Sequence, residues 1–83
     1  MDDAQILNLI KEALFEVAPS RKEEFDEELT FDMSIEDLAL DSIATMEMVG
    51  FLEDKTEKTF PDEELAQVNS IKDLASLVKF GRL

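Results

Sequence analysis

Apolar residues recur at spacings of three and four along three stretches of this 83-residue chain, and nowhere do they alternate as a strand would require. That periodicity commits the chain to helices packed on helices. From Asp2 to about Val17, Ile6, Ile10, Ala13, Leu14 and Val17 fall on one side, while Asn8, Glu12 and Glu16 fall on the other. Pro19 stops this first helix. The segment from Ala18 to Asp41 is long, acidic and irregular, with Phe25, Leu29, Phe31, Ile35 and Leu38 spaced as anchors onto a core and a short helical turn near Arg21 to Phe25. Asp41 and Ser42 open a second helix that runs to about Thr56, with Thr45, Met48, Val49 and Leu52 as its core stripe. Phe60-Pro61-Asp62 marks the next boundary, and Glu63 to Val68 form at most a short third helix. Ser70 with Asp73 gives a weak capping box for a fourth, whose face is Ile71, Leu74, Ala75, Leu77 and Val78 and which ends before Gly81. The expectation is an all-α four-helix bundle in a single domain over residues 1–83, with three main helices, a short third helix and a long first loop.

Composition narrows the chemistry. With 21 acids against 8 bases the net charge is -13, which disfavours nucleic acid and anionic membrane surfaces and favours partners that present basic patches. No cysteine and no histidine are present, so the usual Ser-His and Cys-His nucleophiles are absent. A domain this small buries only about 60% of the surface of its unfolded chain, leaving no room for a deep substrate cavity beside a core. No stretch nears the 18 or so apolar residues of a membrane span, and the acidic start lacks the basic region of a signal peptide. The chain reads as cytoplasmic, complete and monomeric.

Most of the acids lie on polar faces, where a solvated role suffices. Neither Asp26 to Asp37 nor Asp54 to Glu64 supplies the glycine that a calcium loop of the EF-hand type needs at its sixth position, so no dedicated metal site is expected. The dipeptide Asp41-Ser42 is more informative. Its simplest reading is a helix N-cap, but one cap needs one residue. If Asp41 takes it, the Ser42 hydroxyl is left free at the first helical position, where a helix dipole favours an attached phosphate. On the side of the second helix away from its core stripe lie Ile43, Met46 and Gly50, bordered by Glu47, Glu53 and Asp54. A helix serving only the core has no need of that strip; the alternative for Ile43 and Met46 is packing against the preceding loop or the short helix.

The run Asp37-Leu38-Ala39-Leu40-Asp41-Ser42-Ile43-Ala44-Thr45-Met46-Glu47-Met48, followed by Leu52-Glu53 and Phe60-Pro61-Asp62-Glu63-Glu64, resembles the acyl carrier protein family from about Ser34 to Val78 without a gap. Members carry a D-L-G-x-D-S-L-like motif, an acidic second helix and an I-P-D-E-like turn at these spacings. The resemblance implies that Ser42, flanked by Asp41, receives a 4′-phosphopantetheine arm from coenzyme A through a separate phosphopantetheinyl transferase. It also implies a non-catalytic carrier of acyl thioesters, and it accounts for the missing cysteine, since the arm brings a thiol whose pKa near about 8.5 makes it a better leaving group than an alcohol.

By the same resemblance, basic and apolar surfaces of acyl-loading enzymes, synthases and acyltransferases dock beside the serine, on Asp41, Ile43, Met46, Glu47, Gly50, Glu53 and Asp54. An acyl chain folds back among Met48, Val49, Leu52, Phe60, Val68, Ile71 and Leu74, residues that serve equally well as plain core. The pathway implied is a dedicated one for lipids, including fatty acids, or for polyketides. Two alternatives stay open: an aminoacyl or peptidyl carrier, and an acidic helical interaction module without a prosthetic group. The sequence departs from the family pattern at Ala39, where glycine is usual: a somewhat different loop backbone is expected there, although an ordinary backbone angle would accept alanine. It departs again at Thr56, where an aromatic is usual and Phe51 or Phe60 is expected to restore volume.

Overall fold

Residues 2–80 are described by a computed structural model. The first helix, α1 (Asp3–Val17), starts from Asp2, whose carboxylate accepts the Gln5 N–H at 2.8 Å while the Gln5 side chain accepts the Asp2 N–H at 2.9 Å. This reciprocal capping box satisfies two N–H groups that a helix start leaves without partners. Its buried face is Ile6, Leu9, Ile10, Ala13 and Leu14. Leu9 extends the expected stripe, whereas Val17 is only half-buried.

Pro19 opens a 3₁₀ turn (Pro19–Arg21) that leads into the four-residue α2 (Lys22–Phe25), close to the turn expected there. Beyond it the connection is pinned by buried Phe25, Leu29 and Leu38, with Phe31 and Ile35 half-buried against the same core. A second 3₁₀ turn (Ile35–Leu38) is capped by Ser34 and Asp37 in another reciprocal box. It ends at Ala39 with φ 53° and ψ 39°. Ala39 thus does not take the ordinary angle that would accept alanine freely: it occupies the left-handed region, where its Cβ costs about 1–2 kcal/mol.

The second long helix, α3 (Ser42–Thr56), buries Met48, Val49 and Leu52; Thr45, the fourth member of the expected stripe, is half-buried. A single turn, α4 (Asp62–Leu65), and the last helix, α5 (Ile71–Phe80), complete the bundle. Among the described residues there is no strand, only one antiparallel bridge between Ser34 and Ser70. Across that bridge the Ile35 N–H donates to the Asn69 carbonyl and the Ile71 N–H to the Met33 carbonyl, both at 2.8 Å, and the Lys72 N–H donates to the Phe31 carbonyl at 3.0 Å. The long connection thus supplies acceptors for the first two amides of α5.

The next amide, that of Asp73, donates to the Ser70 hydroxyl at 3.1 Å. In return the Asp73 carboxylate accepts the N–H groups of Asn69 at 3.1 Å and Ser70 at 3.3 Å. These backbone donors, that of Asn69 foremost, hold the Asp73 carboxyl below its ordinary value of 3.8.

The far end of α3 is tied down just as firmly. The Thr56 hydroxyl donates to the Leu52 carbonyl at 2.7 Å, the Glu53 carboxylate accepts the Phe60 N–H at 2.7 Å, and Lys58 Nζ donates to the carbonyls of Val78 at 2.9 Å and Lys79 at 3.1 Å. Lys58 therefore caps the C-terminal turn of α5 where a cation is favoured. Phe60 is buried and Phe51 half-buried.

Candidate functional site

Asp41 leads into α3 in an extended conformation, and its carboxylate accepts the Ala44 N–H at 2.7 Å. Its carbonyl accepts both the Thr45 N–H at 2.9 Å and the Thr45 hydroxyl at 2.8 Å. Asp41 alone thus makes the cap, and the choice left open by the sequence is resolved in favour of a free Ser42. Ser42 is exposed at the first helical position, and among the described residues neither its amide nor that of Ile43 finds a protein acceptor. The helix start therefore presents a hydroxyl and two N–H donors at the positive end of the helix dipole.

The outer strip of α3 is open. Ile43 is 72% exposed and Met46 58%, so neither is explained by packing against the preceding loop. Glu47 and Asp54 are exposed beside them, and a Cβ added at Gly50 would meet nothing within 4 Å. Glu53 differs from its expected role, because its carboxylate is turned to the Phe60 N–H and is half-buried there.

A cleft of about 420 Å³ opens along the neighbouring side of α3. Thr45, Met46, Met48 and Val49 line it from α3, Asp62, Leu65, Ala66 and Val68 from α4 and its exit, and Leu74 and Ile35 close it. Four of the seven residues expected to line a pocket are here: Met48, Val49, Val68 and Leu74. Leu52, Phe60 and Ile71 are not; they are 0%, 3% and 0% exposed, buried in the hydrophobic core. Sequence reasoning missed the other six: Thr45 and Met46, which it placed on other faces of α3, and Ile35, Asp62, Leu65 and Ala66, whose role depends on how the connection and α4 are hung. Helix geometry puts Ser42, Thr45, Met46 and Val49 on one side of α3, at spacings of three, four and seven. The free hydroxyl stands one turn above the cleft.

A family model described as "Phosphopantetheine attachment site" matches residues 4–78. The acyl carrier protein of Exiguobacterium sibiricum is 34% identical over 80 residues, covering 95% of this chain and 96% of that protein. The chain belongs to the phosphopantetheine-binding acyl carrier protein family. An acyl carrier protein from Thermotoga maritima, solved by crystallography, shares the fold with a TM-score of 0.59 at 24% identity, covering 86% of this chain and 87% of that one.

Members of this family are non-catalytic carriers whose cofactor is a covalently bound 4′-phosphopantetheine, and they work with enzymes such as synthases and transferases. The site fits such a group. The exposed Ser42 hydroxyl would serve as an ester oxygen, the two amides without protein acceptors at the same helix start would favour a phosphate's charge, and an apolar cleft begins one turn away. No described helix is long and apolar enough to cross a membrane.

Proposed function

We propose that Ser42 carries the phosphopantetheine arm and that the protein holds acyl intermediates as thioesters for a lipid or polyketide-type pathway in the cytoplasm. The observation that supports this most directly is the division of labour at the start of α3: Asp41 makes the cap, so the Ser42 hydroxyl is free. When bound, the arm supplies the thiol that a chain without cysteine lacks. The protein's own part is positional. Ser42 Oγ is the attachment atom. The amides of Ser42 and Ile43 favour the phosphodiester charge. Met46, Met48, Val49, Leu65, Val68 and Leu74 give the cleft an apolar lining, which favours acyl over aminoacyl cargo.

Ile43, Met46, Glu47, Gly50 and Asp54 form the docking strip for partners with basic, apolar-centred surfaces. The charge speeds encounter and the small contact keeps residence short, which suits a shuttle. The test is intact mass after incubation with coenzyme A and a broad-specificity phosphopantetheinyl transferase, beside a Ser42→Ala control. Gain of one phosphopantetheine on the parent alone supports the assignment. No gain on a folded, unmodified parent would leave Ser42 without that role and favour an acidic interaction module.

A further inference from the structure

Ala39 lies three residues before Ser42, is exposed, and holds a left-handed backbone that an alanine adopts only against a steric penalty. Burial of its own side chain does not secure this conformation. Two hydrogen bonds meet there: the Ala39 N–H donates to the Glu36 carbonyl at 3.0 Å, and the Ala39 carbonyl accepts from Arg21 Nη2 at 3.2 Å. The first is local to the 3₁₀ turn. The second spans 18 residues and, among the described residues, is the only side-chain hydrogen bond joining the beginning of the long connection to the segment that enters α3.

Arg21 is suited to this reach. It sits at the end of the 3₁₀ turn behind Pro19, its N–H donates to the Ala18 carbonyl at 2.9 Å, and its side chain is 31% exposed with Nη1 at 3.6 Å from Glu24. The backbone at Arg21 is therefore anchored and the guanidinium is partly held before it meets Ala39.

We propose that Arg21 is a positioning residue for modification of Ser42: by holding the Ala39 carbonyl it fixes the left-handed turn, and with it the path along which Leu40, Asp41 and Ser42 enter α3. This rests on the assignment of the arm to Ser42. A charge effect would have the opposite sign. Removing a cation from a chain of net charge -13 strengthens attraction to a basic partner and lowers KM, whereas loosening the turn lowers kcat because Ser42 is presented correctly less often.

The test is Arg21→Gln in the full chain, alone and combined with Ala39→Gly, a substitution that makes the left-handed turn accessible without help. Steady-state arm attachment is measured with coenzyme A and a transferase, and amide exchange at Ala39, Ala44 and Thr45 is followed on the unmodified chain by NMR. The expected result is a fall in kcat of about fivefold, the equivalent of one net hydrogen bond, with KM unchanged or lower and exchange faster at those amides. Both effects shrink when residue 39 is glycine. Unchanged exchange, unchanged kcat, or an equal loss in the glycine background overturns the proposal. A Ser42→Ala protein that still took the arm would unseat the attachment site, and the exchange result would then decide alone whether Arg21 holds the turn.

Discussion

The dipeptide Ser-Ile stands at the start of two α-helices here, besides the 3₁₀ turn that Ser34 caps, and the two α-helical copies are used in opposite ways. At α5, Ser70 is itself part of the cap: its hydroxyl accepts the Asp73 N–H, and the amides of Ile71 and Lys72 donate to the long connection. Ile71 is fully buried. At α3, Asp41 takes the cap, the Ser42 hydroxyl stays free, the first two amides have no protein acceptor among the described residues, and Ile43 is 72% exposed. One helix start is closed by the fold, and the other presents a hydroxyl and two amides that no described residue engages. The difference lies in one preceding residue and in what packs alongside. Asn69 precedes Ser70 and leaves the cap to it, whereas Asp41 precedes Ser42 and relieves it of that duty.

The largest test of this contrast is a pair of truncations. Ile71→Ala removes a fully buried side chain and should cost about 2–5 kcal/mol, while Ile43→Ala should change stability by no more than about 0.5 kcal/mol and instead weaken partner docking. Urea titration and steady-state arm attachment distinguish them; a comparable stability loss at both positions would erase the contrast. A smaller effect is expected at the cap. Ser70→Ala should cost about 1 kcal/mol, a shift of several degrees in Tm for a domain of this size, and an unchanged Tm would show that the Asp73 carboxylate alone holds the start of α5.

The third test uses pH. The Asp73 carboxyl is held below its ordinary value of 3.8, so its contribution is complete above that value and is lost as pH falls through the folded-state value. Parent and Asp73→Asn proteins should therefore differ in Tm at pH 7 and converge below pH 3.8, the other carboxylates cancelling in the comparison. A gap that persists in acid would mean that the carboxylate charge is not what secures this helix start. The smallest effect belongs to Gly50, on the open strip of α3. Gly50→Ala has free space for its Cβ and should stabilise α3 by about 0.5 kcal/mol, and slower arm attachment without loss of stability would mark the strip as a contact surface.

Much of this was legible from residue spacing. The stripes of α1 and α5 are dense enough that periodicity alone identifies their core faces, with Leu9 the one buried residue of either stripe that was passed over. α3 was harder, because it carries apolar residues on both sides, and only the acids around Ile43, Met46 and Gly50 separated an outer strip from an inner one. Long-range bonding left no local signal. That Glu53 turns to the Phe60 amide, or that Arg21 reaches Ala39, depends on where distant segments come to rest. Ala39 shows the limit best: alanine is an ordinary residue in a sequence, and only the folded turn after Leu38 reveals it as left-handed.

The walls of the cleft are unequal in stiffness. Ile35 and Leu74 flank a bridge whose hydrogen bonds join the connection to α5, and the α3 wall belongs to a helix of 15 residues. α4 is a single turn, and among the described residues its hydrogen bonds all stay within residues 61–68. An acyl group held there, as proposed, would meet three boundaries bonded to other elements and one bonded only to itself. The volume open to it would then be set less by the resting size of the cleft than by how cheaply the four residues of α4 swing outward.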